Sequence, residues 1–123
     1  MTLKILTVDD SRVMRQMLKM TLSEAGYEVY QADDGAHGLD VLEEIGALDL
    51  IITDINMPRM DGFGFMTRVR EIGDYRATPI LVLSTESGDD KKARARAAGA
   101  SGWIVKPFNA EKLLAAVRRV TGG

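Results

Sequence analysis

Five side chains able to take part in acid, metal or phosphate chemistry stand at or just beyond the ends of short apolar runs. They are Asp9, Asp10, Asp54, Ser84 and Lys106. Apolar runs of this length, rich in β-branched residues, are typical of buried strands. The ends of parallel strands in an open α/β sheet share one edge, and ligands are held there. We therefore expect the five side chains to converge on one pocket.

The carboxylates of Asp9, Asp10 and Asp54 would repel one another in such a pocket. Two carboxylates ~4 Å apart repel by about 4 kcal/mol at an effective dielectric constant of about 20. A group of three therefore needs a proton or a cation among its members. The sequence has no Cys and one His, so the available ligand atoms are oxygens. Oxygen ligands select a hard ion, and few protein ligands with several waters are typical of Mg²⁺.

Lys106 and Ser84 extend this chemistry toward phosphate. The lysine is a positive point charge suited to one phosphoryl oxygen, and the serine hydroxyl can donate a hydrogen bond to another. A carboxylate placed between a metal ion, an ammonium and a hydroxyl is positioned to attack phosphorus. Transfer of a phosphoryl group to a carboxylate depends mostly on positioning and charge neutralisation, and it forms an aspartyl phosphate. Asp54 is the predicted nucleophile.

Predicted strands and helices alternate along the chain. The strand predictions cover residues 3–8, 27–32, 50–53, 80–84 and 101–106. The helix predictions cover residues 12–25, 36–45, 62–72, 89–98 and 110–120. Between the second strand and the second helix, Asp33-Asp34-Gly35 is typical of a turn. Alternation at this spacing predicts βαβ units, and hence an α/β fold with a parallel sheet and helices on both faces.

Helical spacing also identifies residues expected to face the core. On the first helix these are Met14, Met17, Leu18, Thr21 and Leu22. On the third helix they are Phe65, Met66, Val69 and Ile72. The fourth helix offers only alanines, and burying alanine gains little at ~25 cal/mol per Å² of apolar area. We expect it to be the most loosely held element.

Composition limits the classes of function that the chain can have. Its 123 residues suit a single domain over 1–123, and we expect no output domain after it. The formal net charge of -2 gives no general attraction to nucleic acid. No apolar run approaches the ~20 residues of a membrane span, and no signal peptide is evident. These features predict a soluble, cytoplasmic monomer that binds neither nucleic acid nor membranes.

The same residues carry a family resemblance that extends along the whole chain. The matching motifs are Asp9-Asp10, Thr53–Pro58, Met60-Asp61-Gly62, Ser84 and Lys106-Pro107-Phe108. In this order they resemble the receiver domains of two-component response regulators, and most closely the stand-alone CheY type that acts in chemotaxis. The resemblance implies, as for CheY itself, a flavodoxin-like fold with a five-stranded parallel sheet in the order 2-1-3-4-5 and five helices.

The resemblance also implies a role for each matching position in the site. Asp54 would accept a phosphoryl group from a histidine kinase, and Ser84 and Lys106 would hold the phosphoryl oxygens. The implied Mg²⁺ ligands are Asp9, Asp10, Asp54 and the backbone carbonyl of Asn56. The Lys106–Pro107 peptide bond would be cis. Asn56 and Glu86 occupy positions that in the family tune the loss of phosphate by hydrolysis. The resemblance further implies that the chain would catalyse its own phosphorylation and dephosphorylation without being a conventional enzyme.

The basic run of the fourth helix, together with Trp103, Lys112, Arg118 and Arg119, makes one side of the molecule cationic and aromatic. Trp and Arg are enriched where proteins bind one another, so we expect a switch and partner face on the fourth helix, the fifth strand and the fifth helix. Its candidate residues are Trp103, Lys91, Lys92 and Lys112. Movement of Ser84 toward the phosphoryl group would open space into which Trp103 turns. The family often has Tyr where this chain has Trp103. The implied partner is the flagellar motor switch or another protein target, besides the kinase and a possible phosphatase.

Four other functions remain open from the sequence. The chain could instead drain phosphate from a kinase or act as a phosphorelay intermediate. An aspartate-nucleophile phosphatase would need a second acid two residues after Asp54, where this chain has Asn56. A flavin carrier would need a glycine- and hydroxyl-rich phosphate cradle after the first strand, where Asp9 and Asp10 would repel phosphate.

Overall fold

A five-stranded parallel sheet in the order β2-β1-β3-β4-β5 is the centre of the computed structural model, which describes residues 2–122. The strands are β1 Lys4–Val8, β2 Glu28–Ala32, β3 Leu50–Thr53, β4 Ile80–Ser84 and β5 Gly102–Val105. The α-helices are α1 Arg12–Glu24, α2 Gly35–Ile45, α3 Gly62–Glu71, α4 Asp89–Ala97 and α5 Ala110–Thr121, with a short 3₁₀ helix at Gly73–Tyr75. The flavodoxin-like fold and the strand order predicted from the sequence are confirmed.

The sheet is covered on both faces because its central strands are apolar on both faces. Ile51 of β3 packs into a cluster with Phe65, Met66 and other side chains on the side of α2, α3 and α4. The next residue, Ile52, packs on the opposite side with Leu18 of α1 and with residues of α5. Alternate strand residues point to opposite faces, so continuous apolar runs fill both layers.

The register of the strands brings their ends together. Val8 of β1 pairs with Thr53 of β3, and Thr53 pairs with Val82 of β4. Ser84, at the end of β4, pairs with Val105 of β5. The residues that follow these positions therefore emerge at one edge of the sheet. Within residues 2–122, no helix has the length and apolar composition needed to cross a membrane.

Helix α4 is the most weakly anchored of the described α-helices. Helices α1, α2, α3 and α5 are each preceded by an N-cap residue whose side chain accepts a backbone N–H, whereas the N-cap residue of α4, Gly88, has no side chain to do so. Helix α4 buries a single residue, Ala95. A side-chain N-cap contributes about 1 kcal/mol, and a buried alanine contributes little apolar area. Both observations support the expectation that this helix is loosely held.

The C-terminal end of α4 is nevertheless fixed by a side chain from α3. Arg70 donates hydrogen bonds to the carbonyl oxygens of Tyr75 (2.8 Å), Thr78 (2.6 Å) and Gly99 (2.6 Å). Burial lowers the pKa of Arg70 from its usual value. Gly99 has a φ of +109°, and a Cβ there would collide with the Arg70 side chain. The turn after α4 is thus held against α3.

Two of the predicted core positions are wrong. Met17 is 44% exposed, because α1 packs on the sheet through a narrower face that buries Leu18 and Leu22. Ile72 is 37% exposed, because α3 ends at Glu71 and the backbone of Ile72 is extended. Strand and helix boundaries differ from the predictions by at most one residue, which is within the usual variation at element ends.

Candidate functional site

Lys106 lies between two carboxylates that follow neighbouring strands. Its Nζ is 2.8 Å from Oδ2 of Asp9 and 2.9 Å from Oδ2 of Asp54. The register of the sheet causes this convergence, since the N–H of Asp54 bonds to the carbonyl of Val8, immediately before Asp9. Asp9 is 1% exposed and Asp54 is 8% exposed. Two negative charges and one positive charge therefore share a largely buried space.

Asp10 adds a third carboxylate at the solvent side of this pair. One oxygen each from Asp9, Asp10 and Asp54 lies within 4.8 Å of the others. Asp10 is exposed, whereas the other two carboxylates are buried. Three carboxylates beside one ammonium leave an excess of negative charge that a divalent cation would neutralise.

The two buried carboxylates are oriented by the backbone. Oδ1 of Asp9 accepts the N–H of Ser11 at 2.9 Å, and Oδ1 of Asp54 accepts the N–H of Ile55 at 2.7 Å. Oδ2 of Asp9 is buried and makes no well-directed hydrogen bond, despite its short distance to Lys106. Buried acceptors are normally satisfied. An under-satisfied oxygen within a set of oxygen donors fits a hard cation such as Mg²⁺.

Burial and charge act in opposite directions on these groups. Burial is the largest influence on Asp9 and raises its pKa, even though Lys106 and the Ser11 N–H act to lower it. Burial alone would lower the pKa of Lys106, but its ion pairs with the carboxylates of Asp9 and Asp54 outweigh that effect and raise its pKa. Lys106 therefore stays charged at neutral pH, while the charge on Asp9 is costly to the folded protein.

The substitution Asp9→Asn is expected to stabilise the metal-free protein at pH 7. A raised pKa means that the protonated form of Asp9 is favoured in the folded state. Stability from this group is therefore present below the unfolded pKa and is lost as the pH rises through the folded pKa. Asn imitates the neutral form and leaves Lys106 paired with Asp54. We expect a gain of about 1 kcal/mol, the usual size of a stabilising substitution.

Thermal unfolding in EDTA and in excess Mg²⁺ measures this effect. The Asp9→Asn protein should have the higher midpoint in EDTA and a smaller gain from Mg²⁺ than the unsubstituted protein. Asp10→Asn is the matched control, because Asp10 is exposed and should change the midpoint in EDTA little. A lower midpoint for Asp9→Asn in EDTA would contradict the expectation.

Ser84 is fully buried at the end of β4, next to the acidic group. Its Oγ accepts the N–H of Glu86 at 3.2 Å, which leaves the hydroxyl proton free to be donated. Thr85 is exposed, in line with the alternation of a strand. The backbone carbonyl of Ser84 accepts the N–H of Lys106 at 2.8 Å, which places the two residues at the same edge of the sheet. Within residues 2–122 the Ser84 hydroxyl makes no hydrogen bond to the side chain of Asp54 or Lys106.

Glu86 connects the parts of the predicted site in a way that the sequence did not indicate. Its N–H bonds to Ser84, and its carbonyl oxygen accepts the indole N–H of Trp103 at 2.8 Å. Its carboxylate pairs with Lys91 at the start of α4. The Lys91 ammonium is the main cause of a lowered pKa for Glu86, and the Asn56 side chain acts in the same direction.

The predicted partner residues lie on α4, β5 and α5. Trp103 is half-buried and packs against the core on the α4 side of the sheet. Lys91 and Lys112 are exposed, and Lys92 is half-exposed. A groove of about 500 Å³ has Trp103, Lys112 and Arg119 among its lining residues. These residues together form what we call the α4-β5-α5 face.

Two arginines that sequence reasoning missed support the loops of the site. Arg15 donates to the carbonyl of Asp9 at 2.6 Å, and so holds the turn between β1 and α1. Arg59 forms a two-bond ion pair with Asp34, with its Nε at 2.7 Å from Oδ2 and its Nη2 at 3.0 Å from Oδ1. Neither contact gives a local sequence signal beyond the turn composition around Asp34.

The lysine and the paired carboxylates at the ends of β1, β3 and β5 define, together with the 2-1-3-4-5 sheet, the class of receiver domains. The chain belongs to the response regulator receiver domain family, whose sequence model matches residues 5–118. The Lys106–Pro107 peptide bond is cis, as the resemblance implied.

Its relatives include chemotaxis proteins of similar length. Chemotaxis protein CheY1 of Helicobacter pylori is 37% identical over 121 residues, which cover 98% of each chain. The structure of CheY4 from Vibrio cholerae is 48% identical, with a TM-score of 0.93 over 98% of this chain and 99% of that one. The receiver domain of sensor histidine kinase PA1611 from Pseudomonas aeruginosa is 25% identical over the whole of both chains, with a TM-score of 0.90.

These comparisons establish what the family does in general. Receiver domains are signalling switches, and they bind Mg²⁺ at their acidic site. The PA1611 receiver domain was solved with a magnesium ion coordinated in its active-site cleft. The acidic group of this chain, Asp9, Asp10 and Asp54, offers carboxylate oxygens, which are ligands that Mg²⁺ prefers.

Proposed function

We propose that this protein is a cytoplasmic phosphorylation switch of the chemotaxis type. Asp54 accepts a phosphoryl group from a histidine kinase, and the phosphorylated form acts on a partner protein through the α4-β5-α5 face. The flagellar motor switch is the first candidate for that partner. The observation that carries the proposal is the position of Lys106, whose ammonium lies within 3 Å of both Asp9 and Asp54.

The acidic group is proposed to hold the cofactor. Asp9, Asp10, Asp54 and the backbone carbonyl of Asn56 are the ligands that we assign to Mg²⁺. When bound, the ion neutralises negative charge on the carboxylates and on the incoming phosphoryl oxygens. The under-satisfied Oδ2 of Asp9 supports this assignment.

In the proposed transfer, Oδ2 of Asp54 attacks the phosphorus of a phosphohistidine. The O–P bond forms as the P–N bond breaks, and the electron pair stays on the imidazole nitrogen, which then takes a proton. Lys106 keeps its proton and binds a phosphoryl oxygen, and the free hydroxyl proton of Ser84 is donated to another. Hydrolysis by water later returns Asp54 to its carboxylate form, at a rate that we assign Asn56 and Glu86 to tune.

The contacts of Glu86 support a route from the phosphoryl group to the partner face. In the proposed switch Ser84 moves toward the phosphoryl group, and its Oγ is bonded to the N–H of Glu86. The carbonyl of the same residue holds the Trp103 indole. A shift of Ser84 therefore disturbs the residue that fixes Trp103. The indole N–H supplies a donor at a position where the family often has a tyrosine hydroxyl.

Addition of a small phosphodonor, such as acetyl phosphate, with Mg²⁺ is expected to change the fluorescence of Trp103. The change follows from the altered surroundings of the indole, and Trp103 is the only Trp in the sequence. The measurement is an emission spectrum, with the protein mass recorded in parallel to detect one added phosphoryl group. The donor with EDTA is the control. Unchanged emission together with an unchanged mass would contradict the proposal.

The surface of α1 supports docking of the kinase. Val13 is 64% exposed and Met20 is 63% exposed, and both lie on a helix that begins two residues after Asp10. An exposed apolar stripe beside the site suits a helical partner that delivers its phosphohistidine to Asp54. Binding of the target protein is assigned to a different surface, the α4-β5-α5 face. Its lysines and Trp103 suit an acidic, amphipathic segment.

Binding of the purified flagellar switch protein distinguishes the motor role from the phosphate-sink role. Titration with and without the phosphodonor should show tighter binding to the phosphorylated form. Equal binding in both states, with return of phosphate from Asp54 to the kinase, would favour the sink or relay function. The phosphatase alternative finds no support in the structure, because the exposed residue two positions after Asp54 is Asn56.

A further inference from the structure

Arg59 has an unusual backbone conformation in the loop between β3 and α3. Its φ of +62° is the only positive value at a non-glycine residue within the described residues 2–122. The carbonyl of Pro58 accepts the N–H of Met60 at 2.6 Å, so Arg59 is the central residue of a very tight turn. Such a conformation is costly for residues with a Cβ and persists only where surrounding contacts hold it.

The contacts that hold Arg59 come from the turn before α2. Both carboxylate oxygens of Asp34 accept hydrogen bonds from its guanidinium, at 2.7 and 3.0 Å. Asp34 is itself only 3% exposed and is fixed by the N–H of His37, which it accepts at 2.8 Å as the N-cap of α2. Beside this pair, the N–H of Gly35 bonds to the carbonyl of Met60 at 3.1 Å. The tip of the loop is thus joined to α2.

The other end of the loop is closed by the backbone. The N–H of Gly62 bonds to the carbonyl of Ile55 at 2.8 Å, immediately after Asp54. Asn56 lies between this closure and the tip held by Arg59. Asn56 is exposed, so packing does not fix its backbone. Its side chain interacts with Glu86, and its backbone lies between the two anchors of the loop.

We propose that Arg59 and Asp34 are a positioning pair that sets the backbone carbonyl of Asn56 for metal binding. The inference rests on the proposed function, in which that carbonyl is a ligand of Mg²⁺. Neither side chain touches the phosphoryl group or the acidic group. The pair acts by holding the loop in a conformation that the free chain would avoid. Outer contacts of this kind commonly change metal affinity by tenfold or more.

The test compares Mg²⁺ affinity with stability in variants of the full chain. Arg59→Gly removes the ion pair but suits the positive φ, so relief of backbone strain should offset part of the stability that is lost when the buried Asp34 loses its charged partner. Its affinity is therefore measured at a temperature where its EDTA unfolding curve shows it folded. Its dissociation constant for Mg²⁺, measured by calorimetry, should rise about tenfold. Arg59→Lys keeps the charge without the two-bond geometry and should show an intermediate rise.

Controls separate the proposed pair from general effects of charge. Arg68→Gln removes one positive charge from an exposed helix position and should leave the Mg²⁺ dissociation constant within about twofold, as surface charges are largely screened. The double variant with Asp34→Asn and Arg59→Gly should bind Mg²⁺ no more weakly than whichever single variant binds it less tightly. The reason is that each substitution alone already removes the same ion pair. If Asp34→Asn fails to fold, the glycine and lysine variants still decide the matter.

Two outcomes of the Mg²⁺ titrations would overturn different proposals. Binding of Mg²⁺ by the unsubstituted protein together with unchanged affinity in Arg59→Gly would overturn the positioning role alone. Absence of Mg²⁺ binding in the unsubstituted protein would instead overturn the proposed function on which the inference rests.

Discussion

Asp54→Asn is expected to reduce phosphorylation by at least about a thousandfold, since removal of a nucleophile leaves only the contribution of binding. The amide can still accept the N–H of Ile55 through its oxygen, so the local fold should survive. Its other atom is an uncharged nitrogen that faces Lys106 in place of Oδ2. This variant can neither attack phosphorus nor pair with the ammonium.

Incorporation of phosphate from the small donor, followed by mass and by Trp103 emission, measures the loss. Asp61→Asn is the matched control, because it is another aspartate-to-asparagine change at the end of the same loop. Asp61 caps α3 through the N–H of Gly64, and Asn is an equally good cap. Phosphorylation of Asp54→Asn at the rate of the Asp61→Asn control would remove Asp54 from its assigned role.

Gly62→Ala is expected to destabilise the protein by about 3 kcal/mol or more, the upper range for overpacking a closely packed site. A Cβ at this position would overlap the carbonyl oxygen of Asp54 and lie 2.9 Å from Cα of Ile55. Both atoms belong to backbone that is held in the sheet edge, so neither can move without disturbing the site. This effect is large against a total stability of about 5–15 kcal/mol for a domain.

Denaturant unfolding of Gly62→Ala beside Gly73→Ala isolates the steric cause. Gly73 has nothing within 4 Å of a Cβ and does not have a positive φ, so its substitution should be nearly neutral. A fall of the Mg²⁺ affinity is also expected for Gly62→Ala, because the carbonyl that must shift belongs to the proposed acceptor. Equal stability of the two variants would show that the loop after Asp54 adapts freely.

The sequence was sufficient to predict the fold and the meeting of the acidic group with Lys106. Apolar runs long enough for buried strands end at these residues, and parallel strands bring their ends to one edge. Strand order came from the family resemblance, since spacing alone permits several topologies. The expectation that α4 is loosely held came from its alanines, and the structure adds that its N-cap residue, Gly88, has no capping side chain.

Contacts between distant loops were not predictable from pattern. Arg59 and Asp34 are 25 residues apart, and their pairing depends on how two turns pack at Gly35 and Met60. The indole N–H of Trp103 bonds to the backbone carbonyl of Glu86, 17 residues earlier. Because the acceptor is backbone, the type of side chain at position 86 does not indicate this bond. Met17 was misplaced because helical periodicity shows a stripe but not how wide a stripe the sheet can cover.

Because Arg70 binds three carbonyls around the end of α4, the two ends of this helix are held unequally. Its C-terminal end is held by the hydrogen bond from Arg70 to the carbonyl of Gly99. Its first turn follows Gly88, which has no capping side chain, and contacts the loop after β4 through the ion pair between Glu86 and Lys91. We therefore expect any displacement of the helix to be larger at the end near Asp54 than at the end held by Arg70. Isotope exchange of its amide protons should be faster than in α5, and fastest in the turn nearest the phosphoryl site. A signal that begins as a small displacement near Ser84 would then reach the surface as a larger movement of one face.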